Sequence, residues 1–334
     1  MPIAPDVAAR HLAEIAYHLR QLEEPYRARA FDRAALAVNG ERDLEGLVAR
    51  GRLTSIDGVG EGIAKVLAAL IEQDSSPYLA ELRERAGVDV DGTVALGMEG
   101  YQGDLHSHTT WSDGKASMRE MAEAAKARGY SYLGITDHSA RMPTVHGLGA
   151  DRLRAQAEEI AKTERAVPGI RLLRGIEVDI NEDGSLDLPD DALGELDVVI
   201  ASPHVGLRMD PRAMTDRMLR AVSHPAVDVI GHPTGRRLGR RPGARYDFER
   251  VFGLAAERGV ALELDCSPER TDLSPELARM AAELGCRFTL DSDAHSPREF
   301  GFVSVQLWCP QLAGLGPERF LNWLTVSELE EVFA

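Results

Sequence analysis

The sequence predicts an α/β fold, a parallel sheet closed into a barrel, behind a small all-α segment. Three observations carry this. Apolar residues recur at helical spacing through the first quarter of the chain. From Asp104 onward, short apolar runs alternate with helical stretches about seven times. Between the two lies a Gly-rich stretch that follows neither rhythm. Repeated strand–helix alternation implies parallel pairing, because each helix carries the chain back to the same end of the sheet. A barrel is the most economical closure of such a sheet.

The helical segment takes in residues 1–86. "VAARHLAEIAYHL", "AFDRAALAVNG" and "IAKVLAALIEQ" repeat apolar positions at helical spacing, and Gly40, Gly51, Gly58 and Gly60 punctuate them. "YLAELRERAG" adds a last short helix, and residues 87–102 read as a linker. Residues 103–334 form the barrel. Its strands are expected at 103–106, 132–136, 170–177, 196–201, 227–231, 260–264 and 286–290. "SMREMAEAAKARG", "ADRLRAQAEEIAKTERA", "PRAMTDRMLRAVSH", "FERVFGLAAERG" and "SPELARMAAELG" are the helices between them.

Composition narrows the function. A net charge of −16 argues against bulk attraction to nucleic acid, although a local basic groove remains compatible with it. Cys266, Cys286 and Cys309 are far apart and form no metal-binding pair, which suits a reduced, cytoplasmic protein. No apolar run approaches bilayer length, so no membrane partner is expected.

The residues that follow the strands point to chemistry. "GDLHSHTTWSDG" supplies His106, His108 and Asp113 after the first, "TDHS" supplies His138 after the second, and "RGIEVDI" supplies Glu177 at the end of the third. "ASPH" gives His204, "IGHP" gives His232, and "DSDAHS" gives Asp293 and His295. In a barrel these strand ends converge on one face. Six imidazoles and three carboxylates packed together are costly to desolvate unless cations bind among them. Mixed His and carboxylate ligation suits Zn, Mn or Fe. Ions about 3.5–4 Å apart clamp a phosphoryl group from both sides, so the set suggests phosphoester hydrolysis.

"DLHSHTTWSDG", "TDHS", "GIEVDI", "ASPH", "GHPTGRRLGRR" and "DSDAHS", in that order, resemble the PHP (polymerase and histidinol phosphatase) superfamily from about Gly103 to the C-terminus. The resemblance implies a distorted, TIM-like seven-stranded (βα) barrel with three divalent metal ions. It implies one ion on His106, His108, Glu177 and Asp293, and a second on a bridging Glu177 with His204 and His232. Asp113, His138 and His295 would hold the third.

Two further stretches, "GHPTGRRLGRRPGARYDFERVF" and "ELDCSPERTDLSPELARMAAELGCRFTLDSDAHS", look most like the PHP domain of bacterial family X DNA polymerases. In the first, Arg236, Arg240 and Arg241, with Arg237 and Arg245, follow a ligand-bearing strand and are expected to border the metals and guide a phosphodiester. "LTSIDGVGEGIAKVLAAL" resembles a helix–hairpin–helix. Its Gly58–Gly60 turn would offer backbone N–H groups to a DNA phosphate, with Lys65 adding charge. Asp104, Asp137 and Asp291, next to ligands in sequence, are candidates to orient imidazoles.

There is no room between the two parts for a polymerase palm and fingers, and Asp89 and Asp91 of "DVDG" read as linker. Val66 stands where lyase members carry the Schiff-base lysine, and Glu61 stands where a neutral or basic residue is usual. The resemblance thus implies a DNA phosphoesterase of repair or end processing: a 3′–5′ exonuclease, a 3′-phosphatase or an abasic-site endonuclease. Its partners would be DNA with 3′ ends, nicks or abasic sites, alongside a polymerase or ligase. The alternative is a small-molecule phosphatase such as histidinol-phosphate phosphatase.

Overall fold

A computed structural model describes residues 3–73, 76–88, 90–141 and 143–333. Asp89 lies outside the described residues. Five helices come first: α1 (Pro5–Gln21), α2 (Pro25–Asn39), α3 (Leu44–Ala49), α4 (Glu61–Gln73) and α5 (Pro77–Ala86). Proline opens α1, α2 and α5, where its missing N–H costs nothing. A left-handed Gly87 (φ 65°) ends α5.

Seven strands then alternate with helices. They are β1 (Gly103–Asp104), β2 (Tyr132–Ile135), β3 (Arg171–Asp179), β4 (Val198–Ser202), β5 (Val229–Ile230), β6 (Ala261–Asp265) and β7 (Phe288–Asp291). Between them run α6 (Met118–Ala127), α7 (Ala150–Ala166), α8 (Asp190–Leu193), α9 (Pro211–Val222), α10 (Phe248–Arg258) and α11 (Pro275–Glu283). After β7 come α12 (Gly301–Gln306), α13 (Trp308–Leu312) and α14 (Val326–Val332). Neighbouring strands pair in parallel in the order β1 to β7. Ser107 and Ala294 make a parallel bridge between the segments after β1 and β7, so the sheet is a nearly closed barrel. The strands read as continuous apolar runs because both faces are covered, as in β4, which is buried throughout. A reciprocal cap between Ser117 and Glu120 starts α6, and Ser274 caps α11.

The strands at 103–106 and 227–231 are shorter than expected. His106 and His108 lie past β1 in an extended loop, not on a strand, and His108 N–H donates to Ala294 O (2.8 Å).

The helical segment lies on the barrel, and one apolar core runs through both. Leu12, Ile15 and Leu19 of α1 are fully buried, and Tyr17 meets Trp308 of α13 with ring centroids 4.8 Å apart. Asn39 at the end of α2 donates to Ser304 Oγ of α12 (2.9 Å). The stretch at 87–102 is tied down at both ends. Leu96 O accepts from Arg10 (3.1 Å) and Gln311 (2.8 Å), and Gln102 N–H donates to Asn322 O (2.7 Å).

Candidate metal centre

Glu177, near the end of β3, is the hub. Oε1 lies 2.7 Å from His232 Nε2 and 3.1 Å from His204 Nε2. Oε2 lies 2.7 Å from His138 Nδ1, 3.4 Å from His106 Nε2 and 3.6 Å from His108 Nε2. Asp293 Oδ1 is 3.0 Å from His108 Nε2 and 3.7 Å from His106 Nε2. Asp113 Oδ1 is 3.3 Å from His295 Nε2 and 3.6 Å from His138 Nε2. All nine side chains read from the sequence therefore meet at one end of the barrel. Three groups have ligand atoms mutually within 4.8 Å: His108, Asp113, His138 and His295; His106, His108 and Asp293; and His138, Glu177 and His204. His138 belongs to two of them, a sharing that spacing in the sequence does not reveal.

Several of these atoms are buried without a hydrogen-bond partner: His106 Nε2, both nitrogens of His108, His138 Nδ1, Glu177 Oε2, His204 Nε2 and Asp293 Oδ1. Native proteins rarely leave such atoms orphaned, because each costs about 1–3 kcal/mol. Nitrogen and oxygen atoms facing one another without hydrogen bonds form a donor set that fits divalent cations.

The electrostatics agree. Burial pushes Glu177 and Asp293 toward protonation, yet the surrounding imidazoles hold both carboxyls well below their usual range. Burial, with His295 and His138 beside it, pushes His108 down to about 3, which leaves a neutral ligand. Burial works against charge on His204 as well, but Glu177 and Asp179 raise it to about 9. A cation at these atoms competes with protons.

Two carboxylates that sequence reasoning passed over orient the imidazoles. Glu263, in the middle of β6, is hydrogen-bonded to His106 Nδ1 (2.6 Å) and accepts from the backbone N–H of His232. Asp179 is hydrogen-bonded to His204 Nδ1 (3.1 Å). Each leaves Nε2 facing the cluster. The signal was present: an acid inside an apolar strand, "VALELD", has no other reason to be buried.

Asp104, Asp137 and Asp291 contact no imidazole and do not face solvent. Asp104 accepts from the His106 and Ser292 N–H groups, and Asp291 from Leu105 N–H (2.8 Å). Asp137 accepts from Thr109 and Ser112. They brace the loops that carry the ligands.

The cluster opens into a cavity of about 850 Å³. Asp113, Lys115, Asp293, His295, Arg237 and Arg270 line its barrel side, and Tyr26, Arg29, Asp32, Arg33 and Leu36 of α2 form the facing wall. The arginines expected at the metals lie elsewhere. Arg236 is half-buried, donates to the Arg270 and Thr271 carbonyls and lies over the Tyr17 ring, 5.6 Å from its centroid. Arg241 donates to Gly235 O (2.6 Å), and exposed Arg240 pairs with Glu269 (3.2 Å). These three line a neighbouring cavity of about 550 Å³, and of the cluster only Arg237 reaches the first. Arg270, unremarked in the sequence, is buried with Nε 3.5 Å from Asp293 Oδ2 and an unpartnered Nη1.

The hairpin turn is beside this wall. Gly58 takes φ 79°, and a Cβ there would sit 3.5 Å from Arg33 Cβ. Nothing lies within 4 Å of where a Cβ on Gly60 would be, and Glu61 and Lys65 are exposed.

The chain matches the PHP domain over residues 104–267. It is 40% identical over 254 residues to the DNA polymerase/3′-5′ exonuclease PolX of Bacillus subtilis, an alignment that covers 76% of this chain and 45% of that protein. It therefore spans less than half of that relative's length. A probable phosphatase of Thermoanaerobacter is 31% identical over 233 residues, 66% of this chain and 89% of the relative. Among solved structures, histidinol phosphate phosphatase from Lactococcus lactis, complexed with zinc, L-histidinol and phosphate, aligns with a TM-score of 0.45. Its identity is 15% over 65% of this chain and 95% of that one.

Proposed function

Because the chain belongs to the PHP family of metal-dependent phosphoesterases, we propose that it hydrolyses phosphoester bonds of DNA at strand ends or abasic sites. The observation that carries this is the convergence of five imidazoles on the Glu177 carboxylate, beneath a cavity walled by arginines. The similarity to PolX favours DNA among phosphoesters.

In this reading His106, His108, Glu177 and Asp293 hold one ion. Glu177 with His204 and His232 holds a second, and Asp113, His138 and His295 hold a third. Zn, Mn and Fe all suit these donors. Ions bound there supply Lewis acidity, activating water and offsetting charge that develops on phosphoryl oxygens. The protein's own part is to fix geometry. Glu263 and Asp179 lock two imidazoles in orientation, and Asp104, Asp137 and Asp291 hold the ligand loops. Arg270 directs an unpartnered guanidinium N–H toward the cavity, where a phosphate oxygen is a fitting acceptor. Residues 1–86 act as the DNA-gripping unit, with backbone N–H groups at the Gly58–Gly60 turn meeting a phosphate and Lys65 beside them. A polymerase or ligase would complete repair.

The test is a panel of labelled DNAs with a recessed 3′ end, a 3′-phosphate or an abasic site, incubated with Mn²⁺ and with chelator. Metal-dependent cleavage of any of them is expected. The probable phosphatases among the relatives favour one alternative, a small phosphate monoester as substrate. Rapid turnover of histidinol phosphate with all DNAs intact establishes it instead.

A further inference from the structure

The wall that α2 gives the cavity has no role in the chemistry above, yet its surface is specific. Tyr26, Arg29 and Arg33 fall at i, i+3 and i+7 and so share one face of the helix. Tyr26 is 82% exposed, the most exposed large apolar side chain among the described residues, and Arg29 lies over its ring, 5.2 Å from the centroid. Arg33 makes no ion pair among the described residues, and the same holds for Lys115 and Arg237 across the cavity. The nearby carboxylates are already engaged: Asp32 with Arg20, Glu269 with Arg240, and Glu299 with His295 N–H. In a chain of net charge −16, cations without partners converge above the carboxylate–imidazole cluster. The wall is also fixed. Arg20 of α1 pairs with Asp32, and Asn39 is bonded to Ser304. Arg33 sits between the hairpin turn and the cavity, since the Gly58 backbone packs against it.

We propose that α2 is a strand-end guide: Arg33 and Arg29 carry the backbone of a single-stranded DNA end from the hairpin turn into the cavity, and Tyr26 stacks a base near the terminus. This rests on the DNA reading above and adds a substrate class, an unpaired end of a few nucleotides. Tyr26 to Arg33 spans about 10 Å of helix axis, the length of about three stacked nucleotides at the ~3.4 Å spacing of one strand. Exposed aromatic rings bind bases of any sequence, and arginines track the backbone. The fixed wall lies opposite the metal ligands, so a fully paired duplex end must fray to enter.

The experiment uses the full-length, metal-loaded protein. Arg29→Ala/Arg33→Ala and Tyr26→Ala variants are compared with wild type on 5′-labelled duplexes with 3′ overhangs of zero to six nucleotides and on bis-p-nitrophenyl phosphate. Wild-type cleavage is expected to rise with overhang length and level off near three nucleotides. In each variant the ratio of kcat/KM for the overhang DNA to that for the small ester falls about tenfold. For the double Arg variant, the dependence of log KM on log salt flattens by up to about two. Arg33→Lys recovers part of the loss on DNA, which a merely structural role does not explain. If wild type cleaves overhang DNA and the variants keep the same ratio, or if GC-clamped blunt ends are cut as fast as overhangs, the guide is overturned while the DNA reading stands. If wild type cleaves the small ester and no DNA, both are overturned.

Discussion

Glu263→Gln tests how the metal centre is held. The carboxylate is fully buried and takes part in two hydrogen bonds, with His106 Nδ1 at 2.6 Å and with the His232 N–H. Gln keeps the volume but presents one oxygen and one amide, so one of those two groups then faces a donor instead of an acceptor. Losing one charge-assisted bond of this kind costs about 1.5–3 kcal/mol. In metal affinity that corresponds to about 10- to 100-fold, the usual range for a residue that orients a metal-binding His. The assay is competition for Zn²⁺ or Mn²⁺ against a chromogenic chelator, with metal content after dialysis and Tm as companion readings. The effect has a pH signature. Burial pushes Glu263 up to about 7, although His106 pulls it the other way. Above that pH the wild type carries a carboxylate and binds metal more tightly than the variant. As pH falls through about 7 the wild-type side chain becomes protonated, and the gap closes. Equal affinities for the two proteins at pH 8 refute the idea that Glu263 holds His106 in register.

Other outcomes follow from the same structure. Burial pushes Asp228 up to about 7, and its carboxyl accepts from Val199 N–H (2.8 Å). Between pH 4 and 7 the unfolded chain loses this proton while the folded one keeps it, so wild-type stability falls across that window. Asp228→Asn is expected to remove that slope and gain about 2 kcal/mol at pH 8; denaturant midpoints at pH 5 and pH 8 decide it, and no gain at pH 8 rejects it. At Gly134 a Cβ would lie 2.3 Å from Leu105 O, just below the ligand loop. Gly134→Ala should cost about 2–3 kcal/mol by thermal melting and lower bound metal, and an unchanged Tm contradicts it. Trp308→Ala empties a site that is 2% exposed against Tyr17, with an expected loss of about 3–5 kcal/mol and faster tryptic cleavage of the helical segment. Wild-type protease resistance in that variant shows that α1 is held by other contacts.

Much of this was legible in the sequence, for a physical reason. Apolar runs such as "VVIAS" are long enough to declare a buried parallel strand, and the ligands after them share a side of the barrel by topology alone. Glu263 was harder to see because a single acid inside a strand looks like an outward position until the barrel curls it inward. Arg236 misled because sequence adjacency to His232 says nothing of rotation about the chain: its guanidinium turns toward Tyr17 and two carbonyls. The place of α2 had no local signature at all. Its charged face reads as a solvated helix, and only long-range packing of α1 on α12 and α13 brings it over the cavity.

The seam of the barrel has a consequence for biosynthesis. β1 and β7 are joined by little backbone pairing, and Asn322 bolts them together. Its side-chain amide donates to Gly103 O (2.9 Å) and Asp291 (2.8 Å), and its Oδ1 accepts from Leu290 N–H (2.6 Å). A ribosome must therefore release residue 322 before an early-made strand can lock to a late-made one. Until then β1 is an open edge on the nascent chain, exposed to pairing with strangers. Newly made molecules that stall short of Asn322 should be the ones that chaperones and proteases capture.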